Sequence, residues 1–133
     1  MPAKVIRAAD SDAEHYTWGP SGNSDAWYLV RTPELHIIEE LMPPGASETA
    51  HHHVHARQFF YVLAGELTLV LSHQPHTLRP HEGLEIAPGE VHRAINRGAE
   101  PVRFLVTSQP PSHGDRIDSN RSLTARSYST SRS

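Results

Sequence analysis

The chain has 133 residues, no cysteine and a formal net charge of -3 at pH 7. This length suits one ordinary domain with one hydrophobic core, and without cysteine any metal site must use nitrogen and oxygen ligands. Lysine and arginine do not cluster, so the sequence lacks the basic surface that phosphate neutralisation requires, and we expect no nucleic-acid partner.

The N-terminal 25 residues are polar and irregular, and we expect residues 1–25 to form an arm that includes a Gly/Pro-rich loop at 18–25. This arm lacks the apolar run of a signal peptide. Nowhere in the chain do ~18 consecutive apolar residues occur, which is the length that a membrane-spanning helix needs. We therefore expect a cytoplasmic protein without a membrane partner.

Short β-prone runs then follow one another, separated by glycine and proline. They cover residues 26–31, 35–42, 51–55, 58–63, 66–72, 77–79, 84–87, 92–96 and 102–108. Runs at this spacing, without a long helical period, are typical of an all-β sandwich or barrel. We expect residues 26–112 to form this domain.

The C-terminal segment changes character. Residues 119–133 are rich in serine, threonine and arginine and have almost no large apolar side chains. Such a segment buries too little surface to offset the entropy lost on ordering. We therefore expect residues 113–133 to form a flexible tail.

Four of the eleven histidines occupy residues 51–55. Successive side chains of a strand point to opposite faces, so His51, His53 and His55 share one face while His52 lies on the other. A His-x-His pair can present two nitrogen ligands to one metal ion, but a metal needs further partners. Gln58 and His92 are candidates if the sheet folds over, although strand periodicity alone does not select either of them.

The spacing of these residues resembles the two sequence motifs of the cupin superfamily. The matching patterns are Gly45-x5-His51-x-His53-x4-Gln58-x6-Gly65 and Pro88-Gly89-x2-His92-x3-Asn96. The resemblance covers roughly residues 26–108 and involves too many fixed positions for a chance match. It implies an all-β double-stranded β-helix, that is a jelly-roll barrel, with a metal ion held inside it.

The resemblance also implies the functional residues. It places His51, His53 and His92 as metal ligands, whereas Gln58 stands where the family usually has glutamate, so that this residue is either a neutral ligand or a hairpin cap. One divalent ion is expected: Fe, Zn, Ni, Mn or Cu. Phe60 and Val62 should line the substrate pocket, and His55 is a candidate acid or base. The family further suggests a homodimer.

A neutral fourth ligand would have a chemical consequence. Three imidazoles and an amide leave the charge of the ion without compensation by protein, which should favour anionic ligands. We expect a small mononuclear metalloenzyme that acts on a small oxygenated organic molecule, as an oxygenase, isomerase, lyase or cyclase. The alternative is a non-catalytic module that binds or senses a small ligand or metal. The six isolated histidines are expected to face solvent: His15, His36, His73, His76, His81 and His113.

Overall fold

The structure, a computed structural model, describes residues 3–8 and 13–119 and has strands but no helix within them. In chain order the strands are β1 (His15–Trp18), β2 (Ser24–Arg31), β3 (His36–Met42), β4 (His51–His53), β5 (Arg57–Ala64), β6 (Leu67–Leu71), β7 (Gln74–Leu78), β8 (Gly83–Ile86), β9 (His92–Ile95), β10 (Val102–Gln109) and β11 (Arg116–Asp118). The expected all-β fold is confirmed.

The strands form two antiparallel sheets. A six-stranded sheet has the order β1-β2-β3-β10-β5-β8, and a five-stranded sheet has the order β11-β4-β9-β6-β7. Most neighbours in these orders are distant in sequence, as a jelly roll requires, because after β3 the chain crosses to the other sheet at every connection except the β6–β7 hairpin.

The core lies between the two sheets. Side chains alternate in and out along β10, where Val102, Phe104 and Val106 are buried and the residues between them are partly exposed. The same alternation operates on the other strands, so one buried cluster combines residues of both sheets: Met42, Val62, Phe104 and Ile86 from the first with Leu67, Leu69 and Ala94 from the second. Burial of apolar surface at about 25 cal/mol per Å² is the main stabilising contribution in such a core.

Two strands lie outside the predicted barrel region of residues 26–112. β1 lies in the segment predicted to be an irregular arm, and β11 lies in the segment predicted to be a tail. β11 has no buried residue and exists because it pairs with the edge of β4. A strand held by backbone pairing alone has no hydrophobic alternation, which explains why the sequence pattern does not reveal it.

The remaining differences concern strand ends. β4 ends at His53, two residues before the predicted end at residue 55, and β7 begins at Gln74 rather than at residue 77. The rest of the two terminal predictions, namely residues 1, 2, 9–12 and 120–133, lies outside the described residues. Within the part of the chain that the structure describes, no helix has the length and apolar character needed to cross a membrane.

Candidate metal centre

Three histidines converge between the two sheets. β4 alternates so that His51 and His53 are buried while His52 lies on the other side. Antiparallel pairing of β4 with β9 sets His51 directly opposite His92, and their ring centroids are 4.4 Å apart. One ring nitrogen from each of the three residues lies within 4.8 Å of the others. The structure thus brings together residues that are about forty positions apart in sequence.

Each of these imidazoles donates a hydrogen bond through Nδ1. The acceptors are the carbonyl oxygen of Thr49 for His51 at 2.8 Å, the carbonyl oxygen of Glu90 for His92 at 2.9 Å, and the carboxylate of Asp115 for His53 at 2.9 Å. A carbonyl or carboxylate oxygen only accepts, so Nδ1 carries the proton and the Nε2 lone pair is left free. This is the tautomer that binds a metal through Nε2.

The electrostatics keep these rings neutral. Burial lowers the pKa of His51 to about 3 and that of His92 to about 4, and the closeness of the other imidazoles adds to the effect. Burial also lowers the pKa of His53, although the hydrogen bond to Asp115 opposes it. Neutral imidazole is the form that ligates a metal, so no proton has to be displaced near pH 7.

Gln58 lines the same cavity from β5. It faces Ser108 across the β5–β10 pair, and its side-chain Nε2 donates a hydrogen bond to Ser108 Oγ at 3.0 Å. This bond directs the amide oxygen the other way. Among the described residues, Gln58 Oε1 and His92 Nε2 are both buried and have no hydrogen-bond partner. Buried polar atoms without partners are costly, and a cation bound between them would satisfy both. The donor set therefore fits a divalent ion.

Phe60 and Val62 were both predicted to line the pocket. Phe60 lines the cavity together with His51 and His53. Val62 does not line it: this side chain is fully buried in the apolar core, because the inward face of β5 passes from the cavity into the core beyond Phe60.

His55 was predicted to be the acid or base. The structure places it outside the cavity, on the exposed link between β4 and β5, where its backbone N–H donates to Asp115 at 2.9 Å. Because β4 ends at His53, the strand alternation that would have turned His55 inward does not extend to it. The His55 side chain is exposed and is not among the residues that line the cavity.

The cavity itself has a volume of about 350 Å³, which suits a small organic molecule. It reaches residues from both sheets and from the C-terminal segment. Those lining it beside the predicted site residues include Tyr16, Trp18, Ile38, Glu40, Glu48, Val106, Ser112, His113, Gly114 and Arg116. The polar residues of this set were not among the site residues predicted from the sequence.

Glu40 and Glu48 alter the expected electrostatics. The sequence suggested that protein would leave the charge of a metal uncompensated, but both carboxyl groups line the same cavity as the histidines. The sequence does indicate the inward position of Glu40, because this residue shares the inner face of β3 with the buried residues Ile38 and Met42. Glu48 lies in an irregular segment between strands, where no periodicity applies.

Of the six histidines expected to face solvent, His36 is buried instead, whereas His113 is exposed but also lines the cavity. His36 is buried and packs edge-on against Tyr28, with ring centroids 5.1 Å apart, and His113 lines the cavity 5.2 Å from His36. Burial, followed by the neighbouring His113, lowers the pKa of His36. His113 reaches this position because the C-terminal segment turns back over the open end of the barrel to pair with β4.

Comparison with known proteins assigns the fold to a family. The family profile described as a cupin domain matches residues 38–108, which is more than half of the chain. The polyketide cyclase RemF from Streptomyces resistomycificus has a similar structure, with a TM-score of 0.76 and 23% identity, and the match covers 92% of this chain and 89% of RemF. At that identity the likeness concerns the fold.

Two curated relatives are also Streptomyces proteins. The polyketide synthase CurC from Streptomyces cyaneus is 33% identical over 70 residues, which are 53% of this chain and 46% of CurC. Protein SchB from Streptomyces halstedii is 36% identical over 62 residues, which are 47% of this chain and 45% of SchB. The curated relatives are matched over 41% to 64% of their own length. Motif spacing, jelly-roll topology and the profile match agree, and the chain belongs to the cupin family.

Proposed function

We propose that this protein is a mononuclear metalloenzyme that acts on a small oxygenated organic substrate by an isomerase- or cyclase-type reaction. One observation carries the proposal. The Nδ1 atoms of His51, His53 and His92 all donate to protein oxygens, so that three free Nε2 atoms meet beside a cavity of about 350 Å³. Histidines with a purely structural role would have both ring nitrogens hydrogen-bonded to the protein. They would not leave three Nε2 lone pairs facing one another.

His51, His53 and His92 would hold the ion, and Gln58 would be the fourth ligand through Oε1. The ion is divalent and is one of Fe, Zn, Ni, Mn or Cu, all of which accept imidazole and amide ligands. When bound, such an ion supplies a Lewis acid that polarises a carbonyl or hydroxyl oxygen of the substrate.

The walls of the cavity provide the binding surface. Trp18, Ile38, Phe60 and Val106 form apolar walls, which would exclude water from the reacting atoms and pack against the carbon skeleton of a substrate. Arg116 contributes a positive charge at the same cavity. The names of CurC and RemF connect similar chains with polyketide chemistry, whose intermediates are oxygenated and enolisable, and this favours the cyclase or isomerase type.

Metal analysis of untagged protein tests the proposal. We expect about one divalent ion per chain, and the variants His51→Ala and His92→Ala should lose it. His76→Ala is the matched control, because His76 is an exposed histidine on β7 and should leave the metal content unchanged. Retention of full metal content in both ligand variants would contradict the proposed site.

A second measurement separates an enzyme from a binding module. Replacement of the native ion by Co²⁺ gives a visible spectrum that reports on the ligands of the ion. Addition of acetohydroxamate, a small chelating anion, should change that spectrum if the ion keeps open positions, as catalytic sites do. An unchanged spectrum would indicate an ion enclosed by protein groups, which is the arrangement of a structural or storage site.

We also propose that the protein forms a homodimer through the outer face of the six-stranded sheet. On this face Phe59 is 44% exposed and stacks on Tyr61, with ring centroids 6.3 Å apart. Exposed aromatic residues in a sheet are typical of protein interfaces. Light scattering after size-exclusion chromatography should give twice the monomer mass, and Phe59→Asp should shift the protein towards the monomer. A monomeric mass for the unaltered protein would contradict this proposal.

A further inference from the structure

Glu40 lies inside the barrel although it is a charged residue on a central strand. β3 pairs with β2 on one side and with β10 on the other, so both neighbours of Glu40 are sheet residues: Ala26 and Phe104. Strand alternation turns the Glu40 side chain inward with Ile38, and it lines the cavity. In the described part of the chain, its carboxyl group has no hydrogen-bond or ion-pair partner. A carboxyl group in such a position is available to a ligand.

Glu48 approaches the same cavity from a different direction and is held in place. Its Oε2 accepts a hydrogen bond from the N–H of Ala94 at 2.9 Å, while its own N–H donates to the carbonyl oxygen of Ala94 at 3.0 Å. Ala94 belongs to β9, so Glu48 is fixed to the five-stranded sheet. Glu40 belongs to the six-stranded sheet. The two carboxyl groups thus face the cavity from opposite sheets.

Among the described residues that line this cavity, Arg116 is the one side chain that is always cationic, so the two carboxylates do not each have a cation. The other charged or titratable groups at the cavity are Arg116 from β11, Tyr16 from β1, His113 from the C-terminal segment, and the buried imidazoles of His51 and His53 from β4. Arg116 is itself paired with Asp118, at 2.8 Å. Two carboxylates in one partly desolvated space repel each other, so one of them retains a proton.

The pKa values of both carboxyl groups change in the direction that this geometry requires. Burial raises the pKa of Glu48 to about 7, with Arg116 and the Ala94 N–H acting against it. Burial, and then repulsion by the Glu48 carboxylate, raises the pKa of Glu40 well above its usual range. Near neutral pH the pair therefore holds a proton on Glu40, while Glu48 is poised between its two forms.

We propose that Glu48 and Glu40 are the general base and the general acid of this site, and that the substrate is a small carbonyl compound with an acidic C–H bond next to the carbonyl group. This inference rests on the proposed function, since the neighbouring ion would polarise the carbonyl oxygen. An acid and a base on opposite walls of one cavity are the arrangement that enolisation requires.

The proton balance of the step is simple. The Glu48 carboxylate takes the proton from the carbon, the C–H bond breaks, and its electron pair moves into the carbon–carbon bond of the enolate. Glu40 then gives its proton to a second atom of the substrate, either another carbon or a departing hydroxyl group that leaves as water. The Glu48 proton returns to Glu40 through solvent or product release, so no oxidant or reductant is needed.

The protonation of the pair can be measured without any substrate. We expect the infrared spectrum of the metal-loaded protein at pH 8.5, where Glu48 has lost its proton, to contain the C=O stretch of a protonated carboxyl group, and we expect Glu40→Gln to remove it. Glu39→Gln is the matched control: Glu39 is the preceding residue of β3, lies on the outer face and pairs with Arg103. The band should persist in this control. Absence of the band from the unaltered protein would overturn the proposal.

Proton transfer can be measured with hydroxyacetone as the probe. In D₂O, the metal-loaded protein should accelerate the replacement of its carbon-bound hydrogens by deuterium, followed by NMR. Glu48→Gln should lower this rate by about 10²-fold or more, and Glu39→Gln should not change it. Glutamine has almost the shape of glutamate, and a single cooperative unfolding transition in each variant excludes misfolding as the cause. Equal exchange rates in Glu48→Gln and the unaltered protein would overturn the assignment of the base.

The metal content of the same samples separates this inference from the proposed function. Full metal loading without the carboxyl band or without the effect of Glu48→Gln would overturn the acid–base pair and leave the metal site standing. A carboxyl band in a protein that binds no metal would overturn the proposed function, and with it the enolisation chemistry, although the proton on Glu40 would be confirmed.

Discussion

His53 and Asp115 lie 62 positions apart in sequence, yet His53 Nδ1 donates to Asp115 Oδ1 at 2.9 Å. The other oxygen of the same carboxylate accepts the backbone N–H groups of His55 and Ala56, both at 2.9 Å. Burial alone would raise the pKa of Asp115, but these three donors together lower it, so the group is a carboxylate at neutral pH. A residue of the predicted tail therefore orients a candidate metal ligand.

This relationship predicts that Asp115→Asn weakens metal binding. Partners that orient a ligating imidazole commonly change metal affinity by about 10–100-fold when they are replaced, and we expect a loss within that range. Calorimetric titration of the metal-free protein with Zn²⁺ measures it. Asp118→Asn is the control, since Asp118 lies three residues after Asp115, on β11, but pairs with Arg116. Equal losses in the two variants would show that the C-terminal segment acts only by its backbone pairing.

The substitution Gln58→Glu tests the role of the neutral ligand. Glutamate keeps a ligating oxygen, so metal binding should persist, but it adds a negative charge beside the ion. We expect the affinity of the Zn²⁺-loaded protein for acetohydroxamate to fall by about tenfold or more. Calorimetry of the unaltered protein and the variant gives the ratio. Equal or tighter anion binding in Gln58→Glu would contradict the idea that a neutral residue at position 58 favours anionic ligands.

The metal-free protein should lose stability as the pH falls below the ordinary histidine range. His51 has a pKa near 3 in the folded protein and 6.5 as the reference value, so between these values the unfolded chain binds more protons than the folded one. The free energy of unfolding must therefore rise with pH in that window. Urea unfolding at several pH values in the presence of a chelator measures this slope.

Glu48 changes the pH dependence of the free energy of unfolding in the opposite direction to His51. Its pKa is about 7 in the folded protein against a reference of 4.5, so between these values the folded state holds the extra proton and stability falls as the pH rises. Removal of this group by Glu48→Gln should make the stability of the metal-free protein rise more steeply with pH between about 4.5 and 6.5. A shallower slope in the variant would contradict the assigned protonation.

Two glycines offer a test of the close approach between the turn after β5 and the residue before β10. Gly65 and Gly45 have φ values of 82° and 83°, but a Cβ at Gly65 would lie 2.5 Å from the carbonyl oxygen of Pro101, whereas Gly45 has nothing within 4 Å. Gly45→Ala should cost about 1–2 kcal/mol, which is the penalty of the left-handed conformation alone. Gly65→Ala should cost clearly more. Equal unfolding free energies in chemical denaturation would contradict this packing.

Sequence alone determined the fold class and, through the resemblance to cupin motifs, the three histidines that the structure brings together. Strands whose two faces differ in burial, such as β10, produce an alternation that can be read directly, and glycine and proline mark the turns between them. His51, His53 and His92 follow from the motif spacing. The metal itself, the role of Gln58 and the homodimer stay predictions.

Only the tertiary structure decided which other groups share the cavity. β11 is held by pairing with β4 and not by burial of its own side chains. The sequence of this segment therefore does not indicate that Asp115 and Arg116 lie at the site. Because β4 ends at His53, the strand alternation does not extend to His55, which is exposed. Because β5 continues from the cavity into the apolar core, Val62 packs in the core and not in the pocket. Glu40 and Glu48 line one cavity because the two sheets face each other. Local sequence patterns describe one strand at a time, whereas a site between sheets depends on distant pairings.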